Sequence, residues 1–311
     1  MASGPYAFLG GEVVPLAEAK VGIMTHALHY GTAAFEGIRG NWNEAHGKTY
    51  IFRLREHYER LVRGCKILLM ELPYSVDDYI RITVELLEKN GFREDVYIRP
   101  LAFKSEQLIA NLKLHEIESD FALMIIPFGS YIDNDRAIRC QTSTWRRPDD
   151  TIMPTGVKLA GLYTTSILAK TEAVRAGFDE AVLLNMDGTV SEGSGENLFM
   201  IEDGRISTPA ETENELLGIT RDSVMKLVRE ELGMEVVERK IHRSELYLAD
   251  EVFLTGTAAH ITSMGELDSR PIGTGDVGVV TKKIQDLYFD VVTGNNEKYL
   301  DWCTGVTPGG G

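Results

Sequence analysis

Lys158 is the residue in this chain whose surroundings best suit a nucleophilic amine. It stands in MPTGVKLAGLY, between a proline-containing loop and a helical run, with Val157, Leu159, Ala160 and Leu162 around it. Small and apolar neighbours desolvate an ammonium and favour the neutral amine that a Schiff base requires. A lysine whose stem lies on apolar surface while its ammonium reaches water would read the same way. A second candidate lies in Ser191-Glu192-Gly193-Ser194-Gly195-Glu196-Asn197-Leu198-Phe199. The glycines let backbone turn closely beside a ligand, and a buried Glu192 carboxylate would keep a heteroaromatic nitrogen protonated; an ordinary polar turn is the alternative. Leu216-Leu217-Gly218-Ile219-Thr220-Arg221-Asp222 runs straight into a helix. Free N–H groups at that helix start, with the Thr220 hydroxyl, make a phosphate cradle, or else Thr220 is a plain N-cap. Leu254-Thr255-Gly256-Thr257-Ala258-Ala259 ends a strand with small hydroxyl residues that a phosphate or carboxylate could approach, or is a simple strand end.

These segments must be held by elements that the spacing of apolar residues predicts. YAFLGGEVVP reads as a hairpin around Gly10–Gly11, and TYIFRLREH as a strand feeding a helix near Glu56–Met70. A second helix is expected over Val76–Asn90, stopped by Gly91, followed by strands in VYIRPLAF and FALMIIPF. FGSYIDND is the best linker, which puts a boundary near Tyr131. Beyond it, IRCQTSTW is a strand, and the polar loop RRPDDTIMPTG leads to Lys158. A helix over Gly161–Ala176, strands EAVLLN and NLFMIED, a helix over Thr220–Leu232, strands MEVVERKIH and EVFLTGTAA, and a last helix near Val277–Val292 complete the reading. No internal repeat interrupts it. The elements make an α+β chain with mixed, largely antiparallel sheets. The expected division is a small domain at 1–127, an interdomain loop at 128–136, a large domain at 137–308 carrying Lys158, and a tail at 309–311.

Composition narrows the function. With 311 residues the chain can bury two cores. A net charge of -15 disfavours nucleic acid and anionic membranes as partners. It does not disfavour a phosphate held in a local pocket of backbone N–H groups and an arginine. The N-terminus lacks a basic segment followed by a long apolar run, so no secretory signal is expected. No stretch approaches the roughly 20 apolar residues of a membrane span. Cys65, Cys140 and Cys303 are far apart, without CxxC spacing, and fit reduced thiols in a cytosol. The closest histidines, His26 and His29, lack the further ligands of a zinc motif, and no metal is expected.

Taken together, these segments resemble the fold-type IV pyridoxal-phosphate enzymes of class IV, which share the D-amino acid aminotransferase-like fold, and within them the branched-chain amino acid aminotransferases. The signature runs from Glu192 through Asn197, Leu198 and Phe199 to Thr208, then Leu216, Gly218, Ile219 and Arg221. HALHYGTAAFEGIR, FRLREHYERL and YIRP point to the branched-chain group.

The resemblance implies a role for each matching position. Lys158 would be the Schiff-base lysine and the general base at the substrate's Cα. Glu192 would pair with the pyridine nitrogen, Tyr163 with the ring oxygen, and Arg60 with the phosphate. Ile219, Thr220 and Thr257 would complete the phosphate cradle, with Gly195, Asn197, Leu216 and Gly218 also among the cofactor contacts. Phe35, Gly37, Tyr97, Arg99, Phe128, Tyr131, Tyr163, Thr257 and Ala258 would line the substrate pocket. Tyr30 and the loop residues Gln107, Leu108 and Ile109 would enter from the neighbouring subunit of a homodimer. The implied reaction is ping-pong transfer between L-leucine, L-isoleucine or L-valine and 2-oxoglutarate.

Three features depart from the pattern. Leu217 stands where proline is usual, Phe128 where tryptophan is common, and the loop KSEQLIANLKLHE replaces a glycine-rich version. They bear on substrate range, leaving room for side activity on (R)-amines. The alternatives are a D-amino acid or (R)-amine aminotransferase of the same fold, and a non-catalytic protein that keeps the fold. The set of lysine, glutamate, tyrosine and cradle residues argues against the last.

Overall fold

A computed structural model of the chain describes residues 5–129 and 134–309. The chain divides into two compact units. The first holds the residues up to Gly129, together with Val157–Gly161 and the chain from Asp290 onward, and the second holds Ser130–Gly156 and Leu162–Phe289. Among the described residues the first unit is built on an antiparallel sheet in the order Cys303–Val306, Lys48–Phe52, Ile38–Asn43, Val96–Lys104, Ser119–Pro127, Tyr6–Leu9 and Glu12–Pro15. The short strand Ala33–Phe35 also pairs with Val96–Lys104. The expected hairpin forms, with Leu9 opposite Glu12. Gly10 and Gly11 take φ of 62° and 83°, the left-handed region that a tight hairpin turn demands.

Helix Val76–Asn90 has the expected bounds for local reasons. Ser75 and Asp78 form a reciprocal capping box, and Gly91 closes the helix at φ 64°. Helix Leu54–Ile67 starts two residues before and ends three before its expected span of Glu56–Met70. Its end is set by Leu69, which adopts φ 49° while Met70 N–H donates to Cys65 O at 2.9 Å. The closing residue is a leucine, so no glycine announces it. The buried face of this helix carries Leu54, Tyr58, Leu61 and Cys65 at helical spacing, and also His57 and Arg60.

The second unit has a mixed sheet in the order Val190–Gly193, Glu180–Leu184, Ile138–Arg146, His260–Leu267, Glu251–Gly256, Asn197–Glu202, Arg205–Thr208 and Val236–Glu238. Ile138–Arg146 runs parallel to both its neighbours, so the expectation of mixed sheets holds. Its core gathers Ile138, Cys140, Leu198, Val252, Leu254 and Met264. Ser191, Glu192 and Gly193 are buried in a strand, so the polar-turn reading of that segment holds only for Ser194–Glu196, which bend between two strands. MEVVERKIH is overextended as a strand, because only Val236–Glu238 pairs. The helices Tyr163–Arg175, Ile219–Glu231 and Val279–Val292 lie within two residues of their expected bounds. Among the described residues no helix is long and apolar enough to cross a membrane.

Candidate active site

In the first unit, pairing with strand Ala33–Phe35 fixes the lysine. Phe35 N–H donates to Lys158 O at 3.1 Å, and Ala34 forms a bridge with Leu159. Lys158 is half-buried between buried Val157 and Leu159, and its Nζ lies 5.3 Å from the centre of the Phe35 ring. On strand Val96–Lys104 the alternation of side chains buries Val96, Ile98 and Pro100 and turns Tyr97 and Arg99 to the other face. Arg99 stacks over Phe35 at 4.6 Å and donates to the Tyr97 hydroxyl at 3.0 Å. The Tyr97 ring lies 5.0 Å from Phe128. Gly37 fits here because a Cβ would overlap the Tyr97 hydroxyl. Lys158, Phe35, Gly37, Tyr97, Arg99 and Phe128 therefore form one aromatic and cationic cluster. Tyr131 lies outside the described residues.

Arg60 is buried at 5% exposure, not on an open helix face. Glu36 grips it through Nε at 2.7 Å and Nη2 at 2.8 Å, and also accepts from His57 Nδ1 at 2.8 Å. Burial pushes the Glu36 carboxyl up, but Arg60 and His57 pull it well below the usual carboxylate range. Burial also pulls His57 below its ordinary value, against the raising effect of Glu36. Sequence reasoning missed Glu36 and His57 in this role, although both stand in segments it singled out, AFEGIRG and FRLREHYERL.

Tyr30 and the loop after strand Val96–Lys104 also come together in the first unit. Ala110 N–H donates to the Tyr30 hydroxyl at 3.0 Å, and Gln107 Nε2 donates to Thr25 Oγ1 at 2.7 Å. Leu108 is half-buried, whereas Tyr30, Gln107 and Ile109 are exposed.

In the second unit Glu192 is the hub. Its carboxylate meets Arg147 Nη1 at 3.0 Å and accepts from Leu216 N–H at 3.1 Å and Asn197 Nδ2 at 3.4 Å. Asn197 Nδ2 also reaches Leu216 O at 2.8 Å and Glu215 Oε2 at 3.3 Å. Gly218 packs so closely on Asn197 Oδ1 that no Cβ could be added without displacing it. Helix Ile219–Glu231 then begins on Gly218, an N-cap residue with no side chain to bond the first turn, and Thr220 is buried. At a strand end of the same sheet, Gly195 O lies against Gly256, which precedes the half-buried turn residues Thr257 and Ala258. Tyr163 is half-buried at the start of its helix. Arg147 and Glu215 were overlooked because each lies in a polar run, RRPDD and TENELL.

The donor set suits pyridoxal phosphate. Each unit carries groups of the kind it needs: the first a buried cation, Arg60, and an amine beside an aromatic ring, Lys158; the second a buried carboxylate, Glu192, which would suit a ring nitrogen, and a helix start, which would suit a phosphate.

Known proteins agree with this chemistry. The amino-transferase class IV family matches residues 33–267. A probable branched-chain-amino-acid aminotransferase from Aquifex aeolicus is 50% identical over 97% of this chain and 96% of its own. The branched-chain-amino-acid aminotransferase of Escherichia coli K12 is 39% identical over 97% of each. The branched-chain aminotransferase of Thermoproteus uzoniensis, crystallised with norvaline, superposes with a TM-score of 0.92 at 41% identity, covering 97% of this chain and 99% of that one. The T.th. branched-chain amino acid aminotransferase complexed with N-(5'-phosphopyridoxyl)-L-glutamate gives 0.90 at 40% identity, covering 98% and 99%. The expected fold-type IV architecture is thereby established, and enzymes of this class use pyridoxal phosphate. The chain belongs to the class IV aminotransferases, in their branched-chain amino acid group.

Proposed function

We propose that the chain transfers amino groups between L-leucine, L-isoleucine or L-valine and 2-oxoglutarate, the donor and acceptor taking turns at one site. The cluster of Lys158 with Phe35, Tyr97, Arg99 and Phe128 carries this reading. Aromatic walls suit an aliphatic side chain, and Arg99 suits the second carboxylate of glutamate. The relatives crystallised with norvaline and with a phosphopyridoxyl-glutamate adduct support both halves.

Pyridoxal phosphate, when bound, supplies the electron sink that stabilises negative charge at the substrate's Cα. We assign Lys158 Nζ to the amine that would hold the cofactor covalently and, when free, would take the Cα proton. Glu192 would hold the proton of the pyridine nitrogen, and Tyr163 would donate to the ring oxygen. Arg60, held in place by Glu36, would bind phosphate, and the first-turn N–H groups of Ile219 and Thr220 with the Thr257 hydroxyl would do the same. Gly195, Asn197, Leu216 and Gly218 shape the backbone around the ring. The Tyr97 hydroxyl would orient the substrate carboxylate, a role we also assign to the Thr257–Ala258 backbone. We place Tyr30 and Gln107–Ile109 at the site of a second copy in a homodimer, a reading supported by the exposure of Tyr30, Leu28 and Leu112. The cytoplasm is the compartment that three free cysteines favour.

A donor panel tests the substrate class. L-Leucine, L-isoleucine and L-valine should outperform D-alanine and (R)-1-phenylethylamine, with any (R)-amine transfer a slower side reaction. A panel led by the D-donor or the (R)-amine would overturn the assignment. Lys158→Ala should lower transamination by about a thousandfold or more.

A further inference from the structure

We infer that Arg147 is a positioning residue for the reaction, holding Glu192 charged and fixed in aim and thereby setting how strongly the cofactor's ring nitrogen keeps its proton. The inference rests on the assignment of Glu192 to that nitrogen.

The backbone brings the pair together across a strand. Strand Glu180–Leu184 lies between Ile138–Arg146 and Val190–Gly193. Pairing on its one side shifts register between Thr142 and Arg146, and on its other side between Val190 and Glu192. Arg147 N–H still reaches Leu184 O at 2.9 Å, and Glu192 sits opposite Leu183. Two irregularities thus flank a single strand, and irregularities of this kind re-aim side chains next to active sites.

The side chains then meet away from water. Arg147 is 5% exposed and Glu192 6%, and Nη1 stands 3.0 Å from Oε1. Arg147 Nε donates to Asn214 O at 2.9 Å. That bond anchors the segment that delivers Leu216 N–H to the other Glu192 oxygen and runs on into helix Ile219–Glu231. A guanidinium fixed at two points restricts both the rotation and the charge of the carboxylate it faces. The neighbouring acid behaves differently. Burial pushes Glu215 up to about 9 against the pull of Arg221, so at neutral pH it adds no negative charge beside Glu192. A carboxylate of fixed charge is what protonation of a pyridine nitrogen requires throughout turnover.

The test compares Arg147→Met, Arg147→Lys and Glu192→Gln in the holoenzyme, and adds the Arg147→Met, Glu192→Gln double variant. Arg147→Met should lower kcat about tenfold or more while the KM for L-leucine stays within about threefold. The pH midpoint of the bound cofactor's absorbance should move in the same direction as in Glu192→Gln. Arg147→Lys should recover most of kcat, and in the Glu192→Gln background Arg147→Met should add no further loss. Should Arg147→Met not melt as a folded protein, Arg147→Gln carries the same comparison. A kcat within about twofold of wild type, an unmoved midpoint, or losses that multiply in the double variant would overturn the role of Arg147. If Glu192→Gln itself leaves both midpoint and kcat unchanged, the assignment of Glu192 falls instead, and this inference with it.

Discussion

Glu36 in the first unit and Glu215 in the second are nearly matched in surroundings. Their exposures are 0% and 2%, and each faces an arginine, Arg60 or Arg221, that is 5% exposed. Their protons nonetheless go opposite ways, Glu36 far below the carboxylate range and Glu215 up to about 9. Burial raises both, so burial cannot decide the outcome. Hydrogen-bond geometry decides it. Arg60 forms a two-point fork on Glu36, and His57 adds a third bond. Arg221 Nε comes within 3.0 Å of Glu215 Oε1 but makes no hydrogen bond with it, while Nη2 is committed to Pro209 O and Glu238. Glu192 then adds like charge beside Glu215. Of these two buried carboxyls beside an arginine, the anion is the one on which the fork closes.

The contrast can be tested at each of its parts. Glu36→Ala should have the largest effect, about 3–5 kcal/mol of lost stability by denaturant unfolding, because it removes the two-point fork from a buried guanidinium. A loss below about 1 kcal/mol would break the comparison at its stronger half. His57→Phe removes one bond to Glu36 and should cost about 1–2 kcal/mol, leaving the Arg60 fork in place.

Glu215→Gln should have the smallest effect near about pH 5, and one that grows as pH rises. The folded value of Glu215 is raised from 4.5 to about 9, so the fold keeps a proton that the unfolded chain releases. Wild-type protein therefore loses stability from this group as pH rises from about 4.5 towards 9, and the glutamine variant does not. The variant should match wild type near about pH 5 and overtake it near about pH 8. For Glu36 the sign is reversed, its contribution being present above the ordinary carboxylate range and lost as pH falls through the depressed folded value.

The features legible in the sequence are those with local causes. The Ser75–Asp78 box and Gly91 mark both ends of one helix, and Gly10–Gly11 marks a hairpin. The signature residues from Glu192 to Arg221 mark the segments where the second unit gathers its polar hub. The features that stayed hidden depend on distant partners. Leu69 ends its helix without a glycine, and its carbonyl is taken by buried Lys104 Nζ at 2.8 Å. Val190–Gly193 is a strand because Glu180–Leu184 lies beside it, whatever its own polar composition indicates. Glu36 and Arg60 are 24 residues apart, and Arg147 meets Glu192 only across an intervening strand. Charge pairs of this kind leave no periodicity, which is why a reading of apolar spacing passes over them. The return of Val157–Gly161 and of the chain from Asp290 onward to the first unit likewise leaves no mark in composition.

The most direct test of the central claim is the absorbance spectrum of the purified protein, recorded before and after L-leucine and again after 2-oxoglutarate. The account predicts a yellow band that fades with L-leucine and returns with 2-oxoglutarate, which displays both half-reactions. A band indifferent to L-leucine but bleached by D-alanine or an (R)-amine would contradict the substrate assignment. The lack of any band in the presence of added pyridoxal phosphate would contradict the enzyme itself.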